Sequence, residues 1–383
     1  MTYVTLMTDM FSTCTSLKSI TLKEFKSYVC INMQNMFYSC ESLTSLDLSN
    51  FDTSKVTTME KMFYNCNSLT KLDLSNLKTS NVNKINSMFE GCSSLTSIAF
   101  DKFDTKEVTS FANMFSGCTS LRTLNLNSFD TSKVTSLYEM FENCQSLTSL
   151  DISNFNIKSV NDMTKTFYNC SSLTNLDLSR FSGKEVSSLT STFQDCHKLI
   201  SIDLSNLESS PVSLNSAFQN CHSLQNVRMS KISTEKTASM MNIFENCYAL
   251  RSLDLSNFKV NSSPNLSNMF KNCYSLSSIN LSNLDVRNAI SLTSMFESCS
   301  ELTSLDLTKF DTSKVTDMSN MFYNCTSLRN LKVNFNTKLV QKMQNMFGSC
   351  TQLTSLDISM FDTTACYIFS GIFEGVLYQC FHR

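Results

Sequence analysis

Cysteine is the residue type in this chain whose number and spacing could support chemistry. The chain contains seventeen cysteines, and fourteen of them recur every 26 residues, or after 25 residues in two places. Thiolates hold zinc and thiol pairs form disulfides, so the candidate chemistries are a metal site and a series of bridges. The structural alternative is that each thiol is a small buried apolar side chain. The recurring residues are Cys14, Cys40, Cys66, Cys92, Cys118, Cys144, Cys170, Cys196, Cys221, Cys247, Cys273, Cys299, Cys325 and Cys350.

A metal centre is the weakest of these interpretations. Zinc sites draw pairs of ligands from C-x2–4-C spacings, and this chain contains none. His197 and His222 directly follow Cys196 and Cys221, but adjacent residues of one repeat point in different directions. We therefore predict no metal and no cofactor.

Disulfides between neighbouring repeats are sterically awkward. In-register side chains of adjacent strands have Cβ atoms about 4.8 Å apart, whereas a disulfide needs about 3.8 Å. Bridging would require a distortion in every second repeat, and the sequence shows no two-repeat alternation. Cys30 and Cys366 occupy the position that Val56 holds in another repeat, so the chain uses cysteine where valine also fits. The pattern favours free, buried thiols.

The remaining residue types argue against an enzyme. The chain has three histidines (His197, His222 and His382), no phosphate-binding glycine loop, and no H-E-x-x-H or G-x-S-x-G sequence. The 31 basic and 33 acidic residues nearly cancel and form no basic run, which disfavours nucleic acid. No apolar stretch is long enough to span a membrane, so no transmembrane segment is expected. We predict a non-catalytic protein without a small-molecule substrate.

The elements that hold these residues follow from a 25–26-residue repeat, whose equivalent positions are called slots below. Leu72 and Leu74 flank Asp73 with the period of a half-buried strand. Val56, Met59, Met62 and Phe63 are spaced by three and one, as in a short helical or 3₁₀ turn. Self-similarity at this period is typical of solenoids, in which each repeat buries its apolar face on its neighbours. The fourteen recurring cysteines are called the ladder cysteines. The phenylalanine three residues before each of them is expected to form a stacked core.

The predicted fold class is therefore a repeat solenoid of about 14 units. It is leucine-rich-repeat-like, with a parallel β-sheet on one face and short helical, 3₁₀ or irregular segments on the other. Residues 1–364 are expected to form a single solenoid, and residues 365–383 a degenerate terminal unit or cap, since Val376 stands where the next cysteine would fall. The two short gaps indicate a residue lost near Leu214–Ala217 and another near Asn334–Phe335.

Several stretches resemble one known family. The L-x-x-L-x-L run Leu43-Leu46-Leu48 and the stretches that begin at Met62 and Ser304 are similar to BspA-like leucine-rich-repeat surface proteins in their 26-residue-repeat form. The ninth position departs from the usual leucine-rich pattern, with Phe51 in place of Asn or Cys. The resemblance extends from Val4 to about Phe373, and it implies a cell-surface binding protein, such as an adhesin toward host or matrix proteins, without catalytic residues.

One outward row offers a candidate binding surface. An aspartate lies between the two inward leucines of many strands. These aspartates together form either a solvated face or an acidic strip that attracts a basic protein partner. Calcium is less suitable than a protein, because it needs six or more oxygens from a flexible loop. The candidate residues are Asp47, Asp73, Asp151, Asp177, Asp203, Asp254, Asp306 and Asp357.

Two locations remain open from the sequence. The family resemblance implies the cell surface or secretion, as part of a longer chain, because the start reads as the back half of a repeat and carries no secretory signal. The alternative is a cytoplasmic scaffold for protein–protein interaction. The missing secretory signal favours the second, and so do the many unpaired thiols, since oxidising compartments disfavour free cysteine.

Overall fold

The computed structural model describes residues 5–22, 27–259 and 265–376. These residues belong to two compact units. Unit 1 comprises Met1–Val186 and Asp195–Leu199, and unit 2 comprises Ser187–Gln194 and Ile200–Arg383. Within each unit the chain makes one turn per repeat, and each turn pairs with the next in parallel. The fold is thus the predicted repeat solenoid with parallel strands.

Eight short strands occur in the described residues, and they pair as four two-stranded parallel sheets. Unit 1 contains β1 (Lys71–Asp73) paired with β2 (Ser97–Ala99). Unit 2 contains β3 (Ser201–Asp203) with β4 (Asn226–Arg228), β5 (Ser252–Asp254) with β6 (Ser278–Asn280), and β7 (Ser304–Leu307) with β8 (Asn330–Val333). Isolated parallel bridges, such as Asn125 with Asp151, continue the same register elsewhere.

The opposite face is irregular, and the described residues contain neither an α-helix nor a 3₁₀ helix. Asn35 and Ser39, five and one residues before Cys40, both have φ between 51° and 55°. Left-handed residues four apart prevent a right-handed helix from propagating. Every second amide instead points to the following repeat, as in Phe37 N–H to Met62 C=O at 2.9 Å. Of the predicted alternatives, the irregular one is right.

Asparagine suits the two left-handed slots for two reasons. It tolerates positive φ better than other side chains, and its amide can also stack on the amide of the preceding repeat. In unit 2, Asn272 Nδ2 donates to Asn246 Oδ1 at 2.8 Å, and Asn246 Nδ2 donates to Asn220 Oδ1 at 2.6 Å. Unit 1 has the same bond from Asn169 to Asn143. These ladders explain why so much asparagine precedes cysteine.

Stacked phenylalanines form the centre of each unit. In unit 1, neighbouring rings from Phe11 to Phe167 have centroids 5.2–5.7 Å apart and nearly parallel planes. In unit 2, the rings from Phe193 to Phe373 are 5.3–5.9 Å apart. This confirms the predicted core. Residues 365–376 continue the repeat, since Phe373 stacks on Phe347 and Ile368 bridges to Lys342.

The cysteine ladder lies beside these rings and makes hydrogen bonds. The thiol of Cys66 donates to the carbonyl of Phe37 at 3.2 Å. The other buried ladder cysteines repeat this bond at 3.0–3.3 Å. The described residues contain no disulfide. The predicted burial is confirmed for thirteen ladder positions and is wrong for Cys14, which is exposed.

Buried threonines form another ladder, at the corner of many repeats. The hydroxyl of Thr105 donates to Asp130 C=O at 2.9 Å and accepts from Asp130 N–H at 2.8 Å, although Asp130 belongs to the next repeat. Thr53 and Thr79 make the same pair of bonds one repeat apart. One buried hydroxyl therefore joins two repeats through two backbone hydrogen bonds.

One predicted deletion site needs correction. Val212 N–H bonds to Ser187 C=O, an interval that is already one residue shorter than the interval between Asn83 and Thr57, which make the same bond in unit 1. The lost residue therefore lies before Val212 and not near Leu214–Ala217. The second predicted position, near Asn334–Phe335, agrees with the register, because β7 and β8 still pair at the longer interval, with Ser304 opposite Asn330.

Candidate functional site

The predicted aspartate row lies on the outward side of the strand ends in both units. Unit 1 holds Asp47, Asp73, Asp151 and Asp177, and unit 2 holds Asp203, Asp254, Asp306 and Asp357. Seven of the eight side chains are exposed, and Asp203 is half-buried. The row is therefore accessible, as the alternation of the sequence predicted.

Each of these carboxylates also shapes the turn that follows its strand. Asp73 Oδ1 accepts the backbone N–H of Ser75 at 2.9 Å, and this hydrogen bond lowers the pKa of Asp73. Aspartate commonly closes such turns by bonding to an amide two residues on. The same bond recurs at all eight positions, over distances of 2.9–3.1 Å.

Asparagine performs this turn-closing role equally well. Asn125 Oδ1 accepts from Asn127 N–H at 3.0 Å, and Asn280 Oδ1 accepts from Ser282 N–H at 3.2 Å. The turn therefore needs no negative charge, and turns also follow Ala99 and Arg228, which offer no side-chain oxygen acceptor. The charge of an aspartate in this row is an additional property that the local fold does not need.

The charge pattern differs between the two units. In unit 1, Asp151 and Asp177 follow each other in adjacent repeats, and the nearby Arg180 contributes to the lowered pKa of Asp177, after the hydrogen bonds from Ser179. In unit 2 basic residues interrupt the row. Arg228 Nη1 lies 3.5 Å from Asp203 Oδ2, and Lys332 occupies the slot after Asp306. The acidic strip is thus continuous only in part.

A groove of about 660 Å³ opens on this face of unit 2, over β6, β7 and β8. It brings Asp306 together with Asn280 and Lys332, and leaves the other seven predicted aspartates outside. Its remaining polar side chains come from the strands and from the turns after β6 and β7. The lining residues are Ile279, Asn280, Leu281, Ser282, Ser304, Leu305, Asp306, Thr308, Lys309, Phe310, Asn330 and Lys332.

The groove coincides with the shortened repeat. After β7, Thr308 and Lys309 form a turn that Phe310 N–H closes by bonding to Leu307 C=O at 3.0 Å. After β8 a single residue, Asn334, separates Val333 from the next core phenylalanine, and no turn forms there. Leu307 is fully buried, whereas Val333 in the same slot is half-buried. Because no turn forms after β8, the side of the turn after β7 is left uncovered.

A second exposed feature was missed by the sequence reasoning. In unit 2 the slot directly after the ladder cysteine holds aromatic rings in three successive repeats. His222 stacks on Tyr248 at 4.5 Å between centroids, and Tyr248 stacks on Tyr274 at 5.1 Å. Tyr274 remains 42% exposed. The available signal was an aromatic residue in a slot that is elsewhere mostly Ser, Thr, Asn or Gln.

A charged cluster in unit 1 is internally paired. Lys165 Nζ lies 2.9 Å from Glu139 Oε1 and 3.1 Å from Glu142 Oε1, and these bonds raise the pKa of Lys165. Glu139 Oε2 also accepts from Asn113, and Glu142 Oε2 accepts from Ser116. With its carboxylates occupied by neighbours, the cluster joins repeats and is not a binding site.

Neither a metal-binding group nor a membrane-spanning helix occurs in the described part of the chain. No three or more His, Cys, Asp or Glu side chains of these residues are arranged to hold a metal ion. Over the same residues, no helix is long and apolar enough to cross a membrane.

Comparison with known families assigns the chain. The family described as "Mycoplasma protein of unknown function, DUF285" matches residues 1–101, 93–207, 188–305 and 290–378. The chain belongs to this family of repeat proteins. The match confirms the resemblance to BspA-like leucine-rich-repeat proteins noted in the sequence. No curated protein matches the chain.

Solved structures of bacterial leucine-rich-repeat proteins are similar over most of their length. A leucine-rich repeat protein from Bacteroides ovatus shares 19% identity over 78% of this chain and 82% of its own, with a TM-score of 0.39. A leucine rich cell surface protein from Faecalibacterium prausnitzii shares 19% over 81% and 78%, with a TM-score of 0.41. A leucine-rich repeat protein from Eubacterium ventriosum shares 16% over 86% and 82%, with a TM-score of 0.44. TM-scores this low carry no functional argument.

Proposed function

We propose that this chain is a non-catalytic protein-binding solenoid whose aspartate row contacts the partner. The observation that carries the proposal is the redundancy of charge in that row. Asn125 and Asn280 close the same turns without a charge, yet eight repeats carry an exposed or half-buried carboxylate. Extended solenoid faces suit protein partners, because they present one surface over many repeats.

The burial of the ladder thiols argues against catalysis by them. Burial holds the pKa of Cys92 and of Cys144 at about 12, so these side chains stay protonated at neutral pH. The thiolate is the nucleophilic form of cysteine, and a protonated buried thiol is inert. A structural role for the ladder follows from its hydrogen bonds to phenylalanine carbonyls.

The proposed location is the cell surface or the exterior, where the protein acts in adhesion to host or matrix proteins. Family resemblance supports this location. The intracellular scaffold drew its support from the free thiols. Thirteen ladder thiols are buried, and a buried thiol with a raised pKa resists oxidation. Free cysteine is therefore compatible with an oxidising environment here.

A charge-only substitution tests the binding face. We would change Asp47, Asp73, Asp151 and Asp177 together to Asn, which preserves the turn acceptor and removes four charges. The assay is binding to immobilised matrix proteins, with surface biotinylation of intact cells as the test of location. We expect a loss of affinity of about fivefold or more, because exposed ion pairs are individually weak but four of them are lost together.

The control removes an equivalent charge elsewhere. Asp130 Oδ1 closes its own turn by accepting Ser132 N–H at 2.8 Å, but it lies at the corner after the strand. Asp130→Asn should leave binding unchanged. Equal affinity of the fourfold variant and the wild-type protein would remove the aspartate row from the proposal.

A further inference from the structure

Two lysines that belong to no ion pair lie together in the groove over β6–β8. The side chains of Lys309 and Lys332 both line it. Within the described residues neither has an ion-pair partner within 4.0 Å. By contrast, Lys231, which occupies the same slot as Lys309 in another repeat, is paired with Glu208 at 3.0 Å.

The slot of Lys332 does not have to supply a turn-closing acceptor in this repeat. In most repeats this slot holds Asp or Asn, whose oxygen closes the following turn. The repeat of β8 has lost that turn, since only Asn334 separates Val333 from Phe335. A turn-closing acceptor has no use there, and a lysine can occupy the position without cost to the fold.

Lys309 departs from its slot in a similar way. The equivalent Asn154 donates its amide to the Leu126 and Phe129 carbonyls of the preceding turn, and Asn257 donates to the carbonyls of Met229 and Ile232. Those bonds fasten successive turns together. Lysine at this position gives up the fastening and places an ammonium group at the rim of the groove.

The groove also contains one carboxylate, that of Asp306, and the adjacent turn uses part of its hydrogen-bonding capacity. Asp306 Oδ1 accepts both the backbone N–H and the hydroxyl of Thr308, at 3.1 and 2.7 Å. These bonds lower the pKa of Asp306, with smaller contributions from Lys332 and Lys309. From the repeat before the groove to the repeat after it, the row thus reads Asp254, Asn280, Asp306, Lys332, Asp357, which is negative, neutral, negative, positive, negative.

We propose that this groove binds an extended peptide segment of a protein partner in which one carboxylate is flanked by basic side chains. The carboxylate lies against Lys332 and Lys309, and the flanking cations lie against Asp306 inside the groove and against Asp357 in the next repeat, outside it. The site deepens the proposed function, and rests on it for the assumption that the strand face meets a protein.

The charge pattern distinguishes this ligand from a polyanion. A sulfated glycan would carry negative charge past Asp254, Asp306 and Asp357, where like charges repel it. A uniformly basic segment would meet Lys309 and Lys332 without a partner. Amides and hydroxyls of Asn280, Asn330 and Ser304 line the same groove and can bond to the peptide backbone.

The test uses synthetic probes of equal length and the whole chain. A fluorescent peptide with Lys-Glu-Lys at its centre is compared with its Lys-Gln-Lys counterpart and with a sulfated heparin hexasaccharide, by anisotropy at low ionic strength. We expect the Glu peptide to bind at least about threefold more tightly than the Gln peptide, which corresponds to one exposed charge pair. The preference should disappear in the Lys309→Gln/Lys332→Gln variant.

Lys314→Gln serves as the matched control, because Lys314 is exposed in the same repeat and donates to Asn288 outside the groove. It should keep the Glu preference. The proposal is overturned if the Glu and Gln peptides bind alike, if neither binds up to millimolar concentration, or if heparin is preferred and its binding survives the double substitution.

Failure of the aspartate row and failure of the groove give different results. Loss of the peptide preference with matrix binding still sensitive to the unit 1 aspartates would reject the groove alone. A peptide preference that depends on Lys332, with matrix binding indifferent to those aspartates, would reject the row and keep the groove.

Discussion

The threonine ladder leads to the sharpest stability prediction. Thr105 is fully buried, and its hydroxyl makes two bonds to the backbone of Asp130, at 2.9 Å to the carbonyl and 2.8 Å from the amide. Thr105→Val keeps the shape of the side chain and removes both bonds. A buried polar group left unsatisfied costs about 1–3 kcal/mol, which for two groups sets an upper bound of about 6 kcal/mol.

The chain itself narrows this range. Ile157 and Val286 occupy the same slot without a hydroxyl, so the ladder tolerates interruption. Asp130 itself is exposed, and water can reach part of its backbone. We therefore expect Thr105→Val to lower the free energy of unfolding by about 1–3 kcal/mol, the cost of a single unsatisfied group.

Thr105→Ser is the control, because Ser27 makes the same pair of bonds with Asp52. Serine should lose only the contribution of the methyl group, about 0.8 kcal/mol. Urea unfolding measures the total change. Since repeat arrays can open locally, hydrogen exchange at the Asp130 amide measures the ladder bond directly. Unchanged protection of that amide in Thr105→Val would refute the reasoning.

Three further predictions concern the thiols, the aspartate row and the left-handed slots. In native protein a thiol reagent should modify Cys14 rapidly and the thirteen buried ladder cysteines only after denaturation; peptide mapping that finds a ladder cysteine modified early would contradict the burial argument. Turn hydrogen bonds lower the pKa values of seven row aspartates: Asp73, Asp151, Asp177, Asp203, Asp254, Asp306 and Asp357. Their stabilisation is therefore present above about pH 4 and lost as the pH falls through the folded-state pKa. Unfolding midpoints measured from neutral to strongly acidic pH should fall less in the fourfold Asp→Asn variant than in wild type, and parallel curves would count against the shift. Gly91 and Gly117 have φ of 76° and 73°, and a Cβ on Gly91 would also collide with the amide of Asn65. Alanine should cost about 1–2 kcal/mol at either position from the backbone alone, with Gly91→Ala the lower in melting temperature; equal values would reject the collision.

Much of the fold could be predicted because one repeat contains its whole plan. The alternation around Asp73 predicted strands and an outward aspartate, and the phenylalanine slot predicted a stacked core. The helical spacing of Met59, Met62 and Phe63 was ambiguous, because the same spacing fits irregular turns. Only backbone conformation distinguishes them, and it is set by the left-handed residues and by bonds to the next repeat.

The candidate site was predictable only in part. The exposed aspartates were found from their slot, but their turn-closing bonds to residues such as Ser75 required the structure. The groove could not be predicted from the sequence, since it depends on which surface of one repeat the neighbouring repeat leaves uncovered. The sequence located the lost residue near Asn334, yet it gave no sign that Lys309 and Lys332 would line one cavity.

By itself the sequence determined the repeat, the slots, the inward and outward faces and the family, because each depends on local periodicity and on the apolar character of every turn. Tertiary structure decided which polar atoms meet. A thiol bonds from Cys66 to the carbonyl of Phe37 in the preceding repeat, and a hydroxyl spans from Thr105 to Asp130. Such contacts join residues that only stacking brings together, and the geometry of that stacking is a property of the folded chain.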